Sequence, residues 1–237
     1  MNLDFANARK EFDEAIKTDP KNANAEYGIG TIFSCQGEFD STIYYLNKAI
    51  DIDSKFTIAY YTRSTAEAAL GNNEKALEDS KKVIELKPDM MPAYVQAGGN
   101  EAILNHHQQA IDYLTKAIKL RPDLYTIYAS RAIYKHNIGD IRGAIEDFTQ
   151  ALRLKNDYAD GYYQRGYYYG EIKEYQKAIN DLTKAVDLKT EYTKAYINRG
   201  IYEMYLLQKI SAIKDFEKAK SLGDNTAQSY IDKYGKK

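Results

Sequence analysis

In the stretch from Ala159 to Tyr192, apolar and small residues return three and four positions apart in two successive runs. Tyr162, Gly166 and Tyr169 form the first, with Arg165 on the same face; Ala178, Ile179, Leu182, Ala185 and Val186 form the second. That spacing keeps one face of an α-helix apolar, so the stretch predicts two amphipathic helices and no strand. The pair then repeats. Ala185 matches Ala151, Ala117 and Ala49 at intervals of 34, and Ala15, Val83 and Ala219 occupy the same slot, with no insertion or deletion between them. A fixed period of this length marks an array of stacked units, each too thin to bury its own apolar face without a neighbour.

Taken in order, residues 1–22 read as the second half of one repeat, with Phe5, Ala8, Phe12, Ala15 and Ile16 at helical spacing and Pro20 closing it. Six complete repeats follow at 23–56, 57–90, 91–124, 125–158, 159–192 and 193–226. A short helix over 226–234 puts Tyr230 in the slot of Tyr196 and Tyr162 and reads as a closing cap, with Gly235, Lys236 and Lys237 as a solvated end. Between the two helices of a repeat, one slot holds Gly37, Gly71, Asn105 and Gly139, residues suited to ending a helix in the left-handed conformation. Lys173 and Leu207 depart from that rule, so the last two turns are expected to be more tightly bonded or strained. Pro88 and Pro122 end second helices, because proline disfavours helix in the residue before it. Gly30, Ser64, Gly98, Ala132, Gly166 and Gly200 on first helices face Ala76, Ala110, Ala144, Ala178 and Ala212 on second helices, Thr42 being the exception. Small residues on both sides let paired helices approach to the short end of the ~8–10 Å range.

The period, the small columns, the aromatic column of Tyr60, Tyr94, Tyr128, Tyr162 and Tyr196 and the proline-ended second helix together resemble the tetratricopeptide repeat family over essentially the whole chain. The family usually has tryptophan in that aromatic column; this chain has none, and Glu26 fills the slot in the first repeat. The resemblance implies an all-α, right-handed superhelical solenoid of antiparallel helix-turn-helix repeats, a single array over 1–237. It also implies a non-enzymatic scaffold whose first helices line a concave groove for a protein or peptide. The matching groove slots are Tyr27, Thr31, Tyr61, Thr65, Gln96, Ser130, Tyr163, Gln164, Tyr167, Asn198 and Tyr205, with Ile58, Val95, Ile103, Ile133, Ile197 and Ile201 as apolar companions. Tyrosine, asparagine, glutamine and threonine offer flat contact and adaptable hydrogen bonds; the alternative is that these tyrosines only fill gaps between repeats. A family branch grips chaperone carboxylate ends with Lys, Asn and Arg at set slots, but only Lys194 and Asn198 suit that use here.

One internal pattern stands apart from the resemblance. Arg63, Arg131, Arg165 and Arg199 are each followed sixteen residues later by Asp79, Asp147, Asp181 and Asp215, whereas repeats with Ile29 or Ala97 in the arginine slot carry Tyr45 or Tyr113 in the aspartate slot. Both slots lie about equally far from the interhelical turn, so an antiparallel hairpin sets them side by side. The pattern predicts four partly buried structural ion pairs; two independently solvated charges are the alternative.

Composition narrows the function. The 237 residues carry 33 Lys plus Arg against 34 Asp plus Glu, a net charge of −1, which gives no basic field for nucleic acid and argues against an RNA reader with one base per repeat. No apolar run approaches the ~20 residues needed to span a bilayer, so no membrane insertion is expected. The single cysteine, Cys35, excludes an intrachain disulfide and favours a reducing, cytoplasmic setting. His106, His107 and His136 lack metal-ligand spacing and read as surface residues, Cys35 has no histidine partner in view, and no phosphate loop stands out, so neither metal, cofactor nor catalytic residue is assigned. The expected partner is a protein or peptide. The rival reading is a self-assembling subunit, a homodimer through 1–22, whose helix around Phe5 and Phe12 leaves an apolar face for a second copy.

Overall fold

The computed structural model describes residues 5–235, and among them are fourteen α-helices and no strand. Residues 1–4 of the expected half-repeat and Lys236 and Lys237 of the expected tail lie outside the described residues. The chain divides into two compact units, Met1–Pro122 and Asp123–Lys237. The first holds α1 (Phe5–Thr18), α2 (Ala23–Gln36), α3 (Phe39–Ile52), α4 (Thr57–Ala69), α5 (Asn73–Leu86), α6 (Met91–Ile103) and α7 (His107–Leu120). The second holds α8 (Tyr125–Asn137), α9 (Ile141–Leu154), α10 (Ala159–Glu171), α11 (Tyr175–Leu188), α12 (Thr193–Tyr205), α13 (Lys209–Ser221) and α14 (Ala227–Tyr234). Within each unit every helix packs on the next in sequence, and the first helices α2, α4 and α6 lie side by side, as do α10 and α12. The architecture is an all-α repeat solenoid built from helical hairpins.

The small columns set the hairpin spacing. A Cβ on Gly98 would stand 3.2 Å from the Ala110 carbonyl oxygen, one on Gly166 3.1 Å from that of Ala178, and one on Gly200 3.1 Å from that of Ala212. In the second repeat the slot is serine, and the hydroxyl uses the same closeness: Ser64 Oγ donates to the Ala76 carbonyl at 2.7 Å and meets Ser80 Oγ at 2.8 Å. Thr42, the exception in the opposing column, is fully buried because its hydroxyl donates back to the Glu38 carbonyl at 3.0 Å.

The ends depart from the interior. Ala8 and Ala15 on α1 stay half-exposed, although Ala76, Ala110, Ala144, Ala49, Val83 and Ala117 in the same two columns are fully buried. Phe12 is turned inward: a Cβ on Gly28 of α2 would collide with its ring, so the uncovered side of α1 is marked by the alanines and not by Phe12. At the other end, α14 stacks Tyr230 on Phe216 at 4.9 Å and buries Ala227.

All six turns between first and second helix close with the same backbone bond, from Glu38 N–H to the Phe33 carbonyl through to Gln208 N–H to that of Glu203, at 2.8 to 3.0 Å. Closing that bond needs a left-handed residue one position earlier. Gly37, Gly71 and Gly139 supply it at φ 79°, 81° and 83°, but Asn105, Lys173 and Leu207 adopt it at 63°, 61° and 60°. The last two turns are therefore strained and not more tightly bonded. An L side chain in this region costs about 1–2 kcal/mol, partly offset by the lower backbone entropy it loses on folding. Leu207 is 89% exposed and gives up no packing when truncated. Leu207→Gly is expected to raise stability by about 0.5–1 kcal/mol in thermal unfolding; a lowered transition would show that the turn is not strained.

Candidate functional site

Four arginines hold their hairpins by the same two-pronged contact. Arg63 Nε and Nη2 donate to Asp79 Oδ2 and Oδ1 at 2.8 and 2.6 Å, and Arg131 binds Asp147 with the same two distances. Arg165 meets Asp181 at 2.7 and 2.8 Å, and Arg199 meets Asp215 at 2.7 Å twice. The planar guanidinium matches both carboxylate oxygens at once, which makes this the strong form of a charged hydrogen bond. All four aspartates are buried. Hydrogen bonds to Asp79 hold the Arg63 guanidinium above its ordinary pKa, while burial pushes the Asp79 carboxyl up against the pull of Arg63.

The remaining nitrogen reaches the preceding repeat, a contact absent from the sequence reading. Arg63 Nη1 donates to Asn47 Oδ1 at 2.6 Å, Arg165 Nη1 to Thr149 Oγ1 at 3.1 Å and Arg199 Nη1 to Thr183 Oγ1 at 3.0 Å, each acceptor lying sixteen residues earlier. The signal was legible: acceptors precede these arginines, whereas Lys81 precedes Ala97 at the same spacing. The tyrosine column lies beside the guanidinium, with Tyr60, Tyr128, Tyr162 and Tyr196 rings 5.3, 5.8, 5.8 and 5.4 Å from their arginines. In the first repeat, which has no arginine of its own in the slot, Arg9 of α1 enters instead. Its guanidinium lies 5.1 Å from the Phe33 ring and 5.3 Å from that of Tyr45, and Nη2 donates to Tyr45 Oη at 3.0 Å.

The first-helix faces are mixed in character. In the first unit, Tyr27 packs on Phe56 at 5.3 Å, Thr31 Oγ1 donates to the Gly28 carbonyl at 2.7 Å, Tyr61 is half-buried, and exposed Thr65 accepts from Gln96 Nε2 at 2.6 Å. In the second, Ser130 and Gln164 are half-buried, Tyr163 lies 4.8 Å from the Tyr192 ring and accepts from Asn198 Nδ2 at 3.3 Å, and the Tyr167 carbonyl accepts from Tyr202 Oη at 3.4 Å. Burial raises the pKa of the Tyr163 hydroxyl. Tyr205 is 63% exposed and stacks on Tyr175 at 4.7 Å with the rings 7° from parallel. Ile58, Val95, Ile103 and Ile133 are exposed. Ile197 is not: it is buried in the cluster of Ala212, Phe216, Ala219 and Ala227, so the slot rule misplaces it beside the capping helix. Between α12 and α14, Ile201, Met204, Tyr205, Tyr230 and Tyr234 line a cleft of about 440 Å³. His136, expected at the surface, is half-buried because it stacks on Tyr168 at 4.4 Å and bonds Glu171 Oε2 through Nε2 at 2.7 Å; burial pushes the Tyr168 hydroxyl up to about 12.

Beside the last clasp, Glu203 is 7% exposed and its Oε2 has no hydrogen-bond partner among the described residues. Burial, reinforced by Asp215 and opposed by Arg199, pushes its carboxyl up to about 7. Among the described residues no group of three His, Cys, Asp or Glu side chains could hold a metal ion, no helix is long and apolar enough to cross a membrane, and Cys35 is exposed.

Family models described as tetratricopeptide repeat match residues 58–90, 92–124 and 159–192 and, in a second form, residues 2–55. No curated protein sequence matches the chain significantly. Among solved structures, the C-terminal part of a TPR repeat-containing protein from Cytophaga hutchinsonii superposes with a TM-score of 0.81 at 14% identity, covering 95% of this chain and 93% of that one. YrrB, described as a TPR protein with an unusual peptide-binding site, gives 0.72 at 21% identity, covering 79% and 97%. MamA gives 0.68 at 24% identity, covering 73% and 94%. At these identities the likeness concerns the fold.

Glu203 carries a pH signature. With its folded pKa above the ordinary glutamate value, the unfolded chain loses this proton first, so stability falls as pH rises from about 4.5 to about 7 and stays low above it. Glu203→Gln is expected to stabilise the protein by about 2 kcal/mol at pH 8.5 and to have little effect at pH 4, read by urea unfolding at both values. A destabilised variant at pH 8.5, or a gain equal at both pH values, would contradict the burial of an unpaired carboxylate.

Proposed function

The chain belongs to the tetratricopeptide repeat family, and from that premise we propose that it is a non-enzymatic scaffold that binds a protein or peptide segment along the faces of its first helices. The observation that carries this reading is the cleft between α12 and α14. It is uncharged along its lining, about 440 Å³ in volume, and walled by three tyrosines, a methionine and an isoleucine. That volume and lining suit an apolar or aromatic side chain of an incoming segment, while phenolic hydroxyls can bond the segment's backbone amides. Further along the same kind of face, Thr65 with Gln96 and Tyr163 with Asn198 present neutral donors and acceptors already held by their neighbours. Such groups lose little side-chain freedom when a partner binds. The peptide-binding site of the structurally similar YrrB supports the reading by analogy of fold.

Tyr205 is the part of this surface that can be removed without disturbing a core, since it is mostly exposed. Peptides selected from a random display library against the intact chain are expected to lose at least about tenfold in affinity for Tyr205→Ala, as for a tyrosine at the centre of an interface. Selection of no peptide, or affinities kept within about twofold in the variant, would remove the first-helix face from the function.

A further inference from the structure

The third repeat lacks the clasp. Ala97 stands in the arginine slot and Tyr113 in the aspartate slot, and the space beside them is an open cleft of about 330 Å³ lined by Lys81, Glu101, Gln109, Asp112, Tyr113 and Lys116. The second repeat has the corresponding cleft, of about 280 Å³, where Asn47, Glu67, Lys75, Glu78 and Asp79 fill the slots of Lys81, Glu101, Gln109, Asp112 and Tyr113, and Arg63 forms part of the wall. Five of the six complete repeats thus hold a guanidinium of this chain at the hairpin, counting Arg9 in the first; the third supplies none to its cleft lining.

This position keeps an aromatic ring and a buried acid whose counterparts lie beside a guanidinium in other repeats, although here Lys116 Nζ lies over the Tyr113 ring at 5.9 Å. Tyr113 is the counterpart of Tyr45, whose ring and hydroxyl receive Arg9. Glu101 is the counterpart of Glu67 and Glu203, which stand in the field of Arg63 and Arg199. It is 5% exposed, and among the described residues its Oε1 is met by Lys81 at 3.7 Å, beyond hydrogen-bond length, while Oε2 is held by His106 Nδ1 at 2.9 Å. Lys81 is half-exposed and can swing into solvent. The lining carries two lysines and two carboxylates, so a cation that displaces Lys81 leaves the charge balanced.

We propose that this cleft receives an arginine side chain presented by a partner protein, with the guanidinium lying on Tyr113 and its charge on Glu101. Arginine can engage both groups with one side chain, because its plane stacks on an aromatic face while its donors reach a carboxylate edge-on, whereas Lys81 and Lys116 meet Glu101 and Tyr113 one each. The site is separate from the first-helix faces: Glu101 points about 120–160° around α6 from Val95, Gln96, Gly99 and Ile103, at 100° per residue. It stands or falls independently of the peptide-binding role proposed for those faces.

The test is an NMR titration of the intact chain with N-acetyl-arginine methylamide, run beside the lysine and norleucine analogues. Saturable shifts confined to the surroundings of Lys81, Glu101 and Tyr113 are expected, at least about fivefold tighter for arginine than for lysine. They should vanish in Glu101→Gln and in Ala97→Arg/Tyr113→Asp, which installs the clasp of the neighbouring repeats. If the double variant fails to give a folded spectrum, Glu101→Gln decides alone. Equal affinity for arginine and lysine, shifts that never saturate, or shifts that persist in Glu101→Gln would overturn the proposal.

Discussion

A guanidinium presents five N–H donors in one plane, and this chain uses the fork in two directions at once. Two nitrogens close a hairpin on its own aspartate, and the third reaches the second helix of the repeat before it, as Arg165 does with Asp181 and Thr149. Hairpins of this kind cannot stand alone, since each buries its apolar face on its neighbours. Apolar contact is non-directional and would tolerate some sliding of one hairpin over the next. The clasp does not, because both oxygens and the third acceptor must be in place together. Arg63, Arg165 and Arg199 therefore set the register of the stack as well as the closure of the hairpin, and the small residues that bring carbonyls such as that of Ala178 within 3.1 Å of a Gly166 Cβ position give it a rigid frame.

Much of this frame was legible in the chain because a strict period turns spatial neighbours into fixed sequence intervals. Helices, turns and small columns follow from spacing alone, and the joint absence of arginine and aspartate from the first and third repeats reveals a contact that neither residue shows singly. What could not be read lies mostly where the period ends. Ile197 sits in a slot that faces outward in Val95, yet α14 covers it. Phe12 turns onto Gly28, and Arg9 takes over the work of an arginine missing from the first repeat. The turns at Lys173 and Leu207 were recognisable as exceptions, but only the backbone bonds show that the left-handed geometry prevails over the preference of the side chain. The pairing of His136 with Glu171 joins two first helices across a spacing of 35, one residue off the repeat period, so the aligned columns did not announce it.

The molecule presents two chemically different kinds of surface. First-helix faces carry tyrosine, threonine, glutamine and exposed isoleucine or valine with little charge, which suits recognition of a segment by shape and backbone. Hairpin edges carry the charged clasps, and there variation between repeats alters chemistry: Ala97 and Tyr113 leave an acid and an aromatic ring without the arginine found beside their counterparts. A repeat that drops a structural interaction while keeping its surroundings is a natural place for a partner's side chain.

The claim that the clasp orders the stack is tested most directly by urea unfolding of Asp181→Ala beside Arg165→Met/Asp181→Met. Loss of the aspartate alone strands a largely buried arginine and is predicted to cost about 3–5 kcal/mol, while the double replacement recovers most of that loss because it leaves no unpaired charge. A cost for Asp181→Ala below about 0.5 kcal/mol would contradict the account, since the two groups would then be behaving as independently solvated charges.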